Sequence, residues 1–351
     1  MQLPPLQNAD IKGKIVFLRA DLDVPIVDGK IEDDYRLLSA IPTIEYLLKQ
    51  NVKIIIAGHL GRPRSIQNSE KEFSLAPIAR WFGQKLKIKN QKSKIGEFEG
   101  WEIGQNIFLL ENLRFDDGEE KNSPEFAKKL AGLADIYVND AFAMCHRRHA
   151  SVIGISRLLP HYAGLHLKKE IENLNRAMNN PERPLVVVVG GKKIETKLPL
   201  VEKMHKIADY VLVGGKIAEE TKILIKTQHE KITGSKAVLL VADQTADKRD
   251  ISQKSIENFL QIINIAKTII WNGSMGIVGG EREKLISEEG TKEIAQGIIK
   301  SKAYSIVGGG DTVEYLNRLG ILSEFSFVST GGGAMLSYLS GEKLPGIEAL
   351  S

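Results

Sequence analysis

The sequence predicts an α/β protein built from two Rossmann-like, three-layer α/β/α domains with parallel sheets, joined by a linking helix and a hinge. Short apolar, β-branched runs alternate with helix-like segments along the chain, which is typical of parallel sheets covered on both faces. The chain has 351 residues, long for one hydrophobic core. A helix-patterned stretch separates two halves of similar organisation, so we expect one sheet in each half.

Apolar runs mark the predicted strands of both sheets. In the first half they are KIVFLRADL, VKIIIAGHLGR, NIFLLENLRF and DIYVNDAF. In the second half they are PLVVVVGGKK, DYVLVGGK, AVLLVAD, TIIWNGSMG, AYSIVGGGD and FSFVSTGGG. Between the halves, Leu167, Ile171, Leu174 and Met178 recur at helical spacing, and Pro181 follows. We therefore expect a first domain over 1–164, a linking helix over 165–180 and a second domain over 181–335.

Composition and charge narrow the class of protein. The net charge of +4 comes from interspersed lysines and acids, which does not indicate nucleic-acid binding. No apolar run approaches the roughly 20 residues that span a bilayer, and the N-terminus lacks the apolar region of a signal peptide. We expect a cytoplasmic monomer that binds neither nucleic acid nor membrane. The single cysteine, Cys145, excludes an internal disulfide and is interpreted as a buried, inert thiol.

Charged side chains follow the predicted strands of the first half. Ligands of open parallel sheets bind beyond the carboxyl ends of the strands, so these side chains are expected to converge. Several guanidinium groups together suit a small ligand that carries phosphate and carboxylate. The alternative is a set of solvated surface arginines. The residues are Arg19, Asp21, Arg36, His59, Arg62, Arg114, His146, Arg147, Arg148 and His149.

Glycines follow the predicted strands of the second half. Repeated glycines at one sheet edge expose backbone N–H groups, which suits the phosphates and base of a nucleotide. Neither the P-loop string nor the G-x-G-x-x-G fingerprint is present. Lys193 and Lys197 lie one helical turn apart after the first glycine pair, and are interpreted either as phosphate ligands or as a solvated helix face. The glycines are Gly190, Gly191, Gly214, Gly215, Gly273, Gly308, Gly309, Gly310, Gly331, Gly332 and Gly333.

Asp311 follows three glycines at the start of a predicted helix, where a carboxylate would repel a bound phosphate. A divalent metal ion removes the conflict, because it bridges carboxylate and phosphate oxygens. The alternative is that Asp311 only caps the helix. With one half gathering a small polyanion and the other a nucleotide, the sequence favours phosphoryl transfer, although spacing alone leaves the acceptor undetermined.

Motifs along nearly the whole chain resemble those of the phosphoglycerate kinase family. In order they are RADLDVPIVDGKIEDDYR, AGHLGRP, LLENLRFDDGEEKN, YVNDAFAMCHRRHAS, VVGGKKIETK, LVGGKIA, IIWNGSMG, VGGGDT and STGGGAMLSYLSGEKLPG. The resemblance implies reversible, Mg²⁺-dependent, in-line phosphoryl transfer from 1,3-bisphosphoglycerate to ADP, with domain closure, giving 3-phosphoglycerate and ATP. It also implies that the C-terminal segment 336–351 completes the first domain.

The resemblance further implies roles for individual residues. Those for the phosphoglycerate site are Asp21, Asp23, Arg36, His59, Arg62, Arg114, His146 and Arg147. Those for the nucleotide site are Gly190, Gly191, Lys193, Lys197, Gly214, Gly215, Asn272, Gly308, Gly309, Gly310, Asp311 and Thr312, with Asp311 also serving the Mg²⁺. Those expected to surround the transferring group are Arg36, Lys193, Lys197, Gly309 and Gly332.

Several positions depart from the family pattern. Asp23 replaces an asparagine, Arg148 and Lys192 replace small residues, and Thr196 replaces an acid. Ser274 replaces a proline, and Gly279 replaces the glutamate that holds the ribose, which leaves the nucleotide preference open. A weak or inactive nucleotide-binding regulator derived from the kinase is the alternative function. A nicotinamide-dependent oxidoreductase would share the sheet architecture but lacks its fingerprint here.

Overall fold

The chain forms two α/β units, each organised around one sheet. A computed structural model describes residues 3–63, 72–192, 194–227, 237–279 and 287–351, with no side chain described for Ile194, Thr196 or 224–227. The first unit comprises Met1–Glu170 and Lys343–Ser351, and the second comprises Ile171–Glu342. The helix between the halves, α5, spans Leu165–Asn179 and crosses this boundary.

The first unit contains a seven-stranded sheet. Its strands and helices are β1 (Ile15–Arg19), β2 (Ile26–Val27), β3 (Lys30–Ile31), α1 (Tyr35–Lys49), β4 (Lys53–Ala57), α2 (Ala76–Leu86), β5 (Asn90–Ile95), β6 (Phe98–Ile103), β7 (Ile107–Leu110), α3 (Asp117–Glu120), α4 (Pro124–Ala131), β8 (Ile136–Asn139) and β9 (His161–Ala163), followed by α12 (Pro345–Glu348) near the C-terminus. The strand order is β5-β6-β7-β4-β1-β8-β9. The five neighbouring strands β7-β4-β1-β8-β9 pair in parallel. β2 and β3 form a separate two-stranded ribbon.

The second unit contains a six-stranded sheet, parallel throughout. Its elements are β10 (Leu185–Val189), α6 (Ile194–Ile207), β11 (Tyr210–Val213), α7 (Ile217–Thr227), β12 (Val238–Val241), α8 (Gln253–Ile265), β13 (Thr268–Asn272), α9 (Glu289–Ser301), β14 (Tyr304–Gly308), α10 (Gly310–Arg318), β15 (Phe327–Val328) and α11 (Gly332–Leu339). The strand order is β12-β11-β10-β13-β14-β15.

The central strands are buried over nearly their whole length, which explains their unbroken apolar runs. All five residues of β10 and of β13 are buried, as are the last four of β1 and of β4. Alternate residues pack into helical layers on opposite faces, so both faces are mostly apolar. The predicted α/β fold with two sheets is confirmed.

The first sheet also has an antiparallel edge that the apolar runs do not indicate. β5 and β6 form a hairpin that pairs through β6 with β7. Charged residues recur along these strands, and Lys92 and Lys94 flank Glu99 at 3.0 and 3.3 Å. A strand exposed on one face has no continuous apolar run, and this is why the sequence pattern missed it.

Of the expected C-terminal segment 336–351, the first unit includes Lys343–Ser351, whereas 336–342 belong to the second unit. Leu344, Ile347 and Leu350 are buried, and the Gly346 N–H donates to the Cys145 carbonyl at 2.8 Å. A Cβ on Gly346 would lie 2.7 Å from Val152 Cγ1, so the segment packs closely. Cys145 itself is buried, and burial raises the pKa of its thiol.

Among the described helices, none combines the length and apolar character needed to cross a membrane.

We predict that Ile347→Ala lowers the unfolding free energy of the first unit by about 2–5 kcal/mol, because it leaves a cavity under the C-terminal segment. Chemical denaturation followed by circular dichroism measures this. Lys343→Ala is the matched control, since Lys343 is exposed and contributes only a surface ion pair with Glu348 at 3.2 Å. Equal effects of the two substitutions would contradict the packing described for the segment.

Candidate active site

The carboxyl ends of four parallel strands meet at one edge of the first sheet. Arg19, at the end of β1, lies in register with Ala57 of β4 and Asn139 of β8, and β7 pairs with β4. The loops that follow these strands are therefore neighbours, as the sequence predicts. We call this region the cationic edge and define it by Asp21, Asp23, Arg36, His59, Arg62, Arg114, His146 and Arg147.

Asp23 connects three segments of the cationic edge. Its Oδ1 accepts a 2.9 Å hydrogen bond from the Gly61 N–H, and its Oδ2 lies 3.8 Å from Arg36 Nη1 and 3.6 Å from His59 Nε2. Arg36 Nη1 also donates to the Asp23 carbonyl at 2.5 Å. Burial acts to raise the pKa of Asp23, but His59, the Gly61 N–H and Arg36 outweigh it and hold this pKa below its ordinary value. Asp23 is thus an anion that partly neutralises the edge.

His59 is held in one neutral tautomer. Arg19 Nη2 lies 3.2 Å from His59 Nδ1, and a guanidinium only donates, so Nδ1 must accept. The ring proton is then on Nε2, which faces Asp23. Burial lowers the pKa of His59 to about 4, against the opposite effect of Asp23. At neutral pH His59 therefore serves as a hydrogen-bond donor rather than as a cation.

Arg19 does not join the cationic edge, so the expectation that it converges there is wrong. It is fully buried: its Nε donates to Ser151 Oγ at 2.9 Å and its Nη1 to the Ala20 carbonyl at 2.5 Å. Ser151 Oγ donates in turn to Glu119 Oε1 at 2.6 Å. The position of Arg19 at the end of β1 predicts that its backbone lies at the sheet edge, but it does not predict that the side chain turns inward. No sequence signal links it to Ser151 or Glu119, which are far along the chain.

His149 is also directed inward, with its Nδ1 3.6 Å from the buried Glu119. By contrast, Arg114 lies at the edge, where its Nη1 donates to the Gly61 carbonyl at 2.6 Å and its Nε lies 3.0 Å from Glu120 Oε1. The Asp21 carboxylate accepts from the Ala143 N–H at 3.1 Å. Burial raises the pKa of Asp21, although Arg36 and Arg19 oppose this effect.

The remaining predicted residues of the cationic edge are more accessible. Arg62 and Arg147 are exposed, and His146 is half-buried. Arg62 directly follows Gly61, whose two backbone groups bind Asp23 and Arg114. Arg147 lies in the loop that Asp21 binds through Ala143. The edge therefore combines side chains fixed in place with exposed guanidinium groups.

Glycines allow the main chain to pack closely at the carboxyl ends of β10, β11 and β13. The Gly190 N–H donates to the Asn272 carbonyl at 3.0 Å and the Gly191 N–H to the Ser274 carbonyl at 2.8 Å. A Cβ on Gly190 would lie 2.2 Å from the Ser274 oxygen, and one on Gly215 2.5 Å from the Gly191 nitrogen. A Cβ on Gly214 would likewise lie 2.5 Å from Met275 Sδ. We call this region, with Gly273 and Gly308–Gly310, the glycine edge.

Lys197 reaches the glycine edge from α6. It is 7% exposed, and its Nζ donates to the Asn272 carbonyl at 3.0 Å and also to Asn272 Oδ1. A Cβ on Gly273 would lie 2.8 Å from this Nζ. Lys197 thus presents an almost buried ammonium group at the end of β13. Lys193, predicted as its companion, lies outside the described residues.

The N-termini of α10 and α11 converge at the same edge. α10 begins at Gly310 after Gly309, whose φ of +104° favours glycine. A Cβ on Gly332, the first residue of α11, would lie 3.2 Å from Gly309 Cα. Two helix N-termini in contact concentrate unpaired N–H groups, which favour a bound anion. Thr312 is buried at this point, and its hydroxyl has no hydrogen-bond partner within the described residues.

Asp311 is exposed in the first turn of α10. The N-cap position belongs to Gly309, so the interpretation of Asp311 as a simple capping residue is wrong. Its side chain lines a cavity of about 290 Å³ together with Lys192, Gly279 and Glu314. Within the described ranges, no group of three or more His, Cys, Asp or Glu side chains could enclose a metal ion.

We predict that His59 remains neutral between pH 8 and pH 5, because protonation would add a buried charge beside Arg19. In ¹⁵N NMR spectra, Nδ1 should keep the shift of an unprotonated nitrogen and Nε2 that of a protonated one. His59→Gln identifies the signals. A titration midpoint near the ordinary value of about 6.5 would contradict the tautomer assigned from Arg19.

Comparisons with known proteins agree with this geometry. The family model described as "Phosphoglycerate kinase" matches residues 6–238 and 220–342. Proteins named phosphoglycerate kinase from Leptospira biflexa and Dictyoglomus turgidum are both 38% identical to this chain, over 100% and 98% of it and 98% and 97% of their own lengths. The Leptospira alignment extends over 396 residues, so that relative carries segments that this shorter chain lacks.

Solved structures give the same result. The phosphoglycerate kinase of Coxiella burnetii superposes with a TM-score of 0.82 at 35% identity, covering 99% of both chains. That of Pyrococcus horikoshii gives 0.81 at 31% identity, covering 99% of this chain and 98% of its own. With the family model matching nearly the whole sequence and full-length relatives at this identity, the chain belongs to the phosphoglycerate kinase family.

Proposed function

We propose that the cationic edge binds phosphoglycerate and the glycine edge binds the nucleotide of the phosphoglycerate kinase reaction. The chain is a phosphotransferase that moves a phosphoryl group between the acyl phosphate of 1,3-bisphosphoglycerate and ADP, giving 3-phosphoglycerate and ATP. The assignment of one substrate to each domain is part of the proposal. So are the domain limits taken from the sequence and a cytoplasmic, monomeric state without nucleic-acid or membrane partners.

The observation that carries the proposal is the different chemistry of the two edges. One presents guanidinium groups and a neutral histidine donor, which together match a small ligand with phosphate and carboxylate groups. The other presents converging helix N-termini and Lys197, which match the phosphates of a nucleotide. Neither edge alone supplies both sets of groups.

The acceptor carboxylate of 3-phosphoglycerate is ionised at neutral pH, so the reaction requires no general base. Catalysis then consists of aligning the two substrates and stabilising charge on the transferring group. We assign the latter role to Arg36 from the cationic edge and to Lys193, Lys197 and the Gly309 and Gly332 amides from the glycine edge. We propose that the transfer is accompanied by domain closure, as the family membership implies.

Magnesium fits the glycine edge through Asp311. This exposed carboxylate lies beside the helix N-termini proposed to bind phosphates, and Mg²⁺ is commonly held by one or two carboxylates, phosphate oxygens and water. When bound with the nucleotide, the ion would neutralise charge on the phosphates. Asp311 would hold it, whereas Lys197 and the amides act directly on the phosphoryl oxygens.

The alternative of a weak or inactive regulator is not favoured. Lys197, Asn272 and the glycine edge are assembled in close contact despite the departures at Lys192, Ser274 and Gly279. Those departures concern the region beside the phosphates rather than Lys197 itself. They leave the choice between ATP and GTP to experiment.

The direct test is the rate of 1,3-bisphosphoglycerate formation from 3-phosphoglycerate and Mg-ATP, measured through a coupled dehydrogenase. We expect turnover that depends on both substrates and on Mg²⁺. A parallel assay with Mg-GTP measures the nucleotide preference. A folded sample that is inactive with both nucleotides would contradict the proposal and support the regulator.

We predict that Asp23→Asn lowers the KM for 3-phosphoglycerate about threefold to tenfold. The substitution removes a negative charge within 4 Å of Arg36 and His59 while an amide oxygen can still accept from Gly61. Steady-state kinetics at fixed ionic strength measure it. Asp10→Asn makes the same change in net charge at an exposed site and should leave KM unchanged. A raised KM for Asp23→Asn would show instead that Asp23 organises the edge for binding.

We predict that Lys197→Ala lowers kcat about 10²- to 10³-fold, the usual effect of removing one transition-state donor. Lys206→Ala, an exposed lysine near the end of the same helix, should retain the wild-type rate. Circular dichroism establishes that both variants are folded. A wild-type kcat in the Lys197 variant would remove this residue from the catalytic set.

A further inference from the structure

A second cavity, of about 540 Å³, opens beside the glycine edge within the second unit. Its size lies in the range of small-molecule sites. Gly191, Gly215 and Met275 are among its lining residues. A Cβ on Gly191 would lie 3.8 Å from Lys197 Cε, so the cavity adjoins the group proposed to bind phosphate. A nucleotide with its phosphates at Lys197 would then have its base in this cavity, an inference that depends on the proposed function.

Four acidic residues line the cavity, and two of them are already engaged. They are Glu219, Glu220, Asp247 and Asp250. Asp250 Oδ1 accepts from the Ile251 N–H at 2.8 Å, and its Oδ2 accepts from the Gly290 N–H at 3.0 Å and from Ser287 Oγ at 3.4 Å. Asp247 Oδ1 accepts from Thr245 Oγ1 at 2.7 Å within its own turn. These two carboxylates therefore stabilise loops that form the wall of the cavity.

Glu220 differs from both. It lies in the first part of α7, which starts two residues after Gly215, and its Oε2 is shielded from solvent without a hydrogen-bond partner among the described residues. An unsatisfied carboxylate oxygen away from water is costly, and a donor brought by a ligand removes that cost. Because Glu220 is among the residues that line the cavity, a ligand bound there can supply that donor.

The ligand group that meets Glu220 must be a donor without negative charge. A phosphate group next to the Glu220 carboxylate is disfavoured by like-charge repulsion, although Lys192, Lys216, Lys248 and Arg249 also line the cavity. The cavity is bordered by Met275 and by glycine peptides, which offer a flat contact for an aromatic ring. A purine base packed there presents its N–H groups at its edge. We infer that Glu220 is a specificity-determining residue that accepts a hydrogen bond from an N–H group of the purine base.

The test compares ATP with purine riboside triphosphate, which has the same ribose and phosphates but no N–H on its base. The wild-type chain should use ATP with a kcat/KM about 10- to 100-fold higher, the effect of one hydrogen bond to a charged group. Glu220→Leu should reduce this preference to less than about threefold. Glu220→Gln, which keeps an acceptor, should retain part of it, and provides a second variant if the leucine form does not fold.

Glu257→Leu is the matched control, since Glu257 is an exposed glutamate on α8 and is not among the residues that line the cavity. It should preserve the wild-type preference. A wild-type chain that uses both triphosphates equally, or a preference that persists in Glu220→Leu, would overturn the inference. The inference would also be overturned if Glu220→Leu changed the ratio of kcat/KM for ATP and 2′-deoxy-ATP but not the ratio for ATP and purine riboside triphosphate. Glu220 would then act on the ribose 2′-hydroxyl and not on the base. Turnover with ATP in any of these cases would leave the proposed function intact.

Discussion

Parallel pairing of the central strands is the constraint on which both halves of the candidate site depend. Register between β1, β4 and β8 places the residues after each strand at one edge of the first sheet. Register between β10, β11 and β13 does the same in the second. Because the strands are buried on both faces, a shift in register would force the closely packed helical layers on both faces to repack, so the cores also fix the position of the edges.

The two edges use this constraint in opposite ways. In the second unit, the main chain approaches so closely that a Cβ on Gly190 or Gly273 would lie 2.2 Å from a backbone oxygen. Only glycine fits, and the N–H groups of the loops and helix N-termini form the surface that we propose binds the nucleotide. In the first unit, charged side chains form the surface, and Asp23 limits their mutual repulsion. Asp23 lies against His59, which is held by a buried series of hydrogen bonds that runs from Glu119 through Ser151 and Arg19.

Much of this arrangement follows from local sequence. Unbroken apolar runs predict buried parallel strands, and glycine or charge directly after a run predicts the chemistry of each edge. Three features do not follow. The inward direction of Arg19 depends on Ser151, 132 residues away. The β5–β6 hairpin lacks a continuous apolar run. The position of Glu220 beside a cavity depends on segments from β10 and β13, which no local pattern connects to α7.

The central claim, that each edge binds one substrate, is tested most directly by calorimetric titration of 3-phosphoglycerate and of Mg-ADP into the wild-type chain, Arg36→Gln and Lys197→Ala. We predict that Arg36→Gln loses most of its affinity for 3-phosphoglycerate and retains its affinity for Mg-ADP. Lys197→Ala should show the reverse pattern. If either substitution weakened both ligands equally, or weakened only the ligand assigned to the other edge, the assignment of the two edges would be wrong.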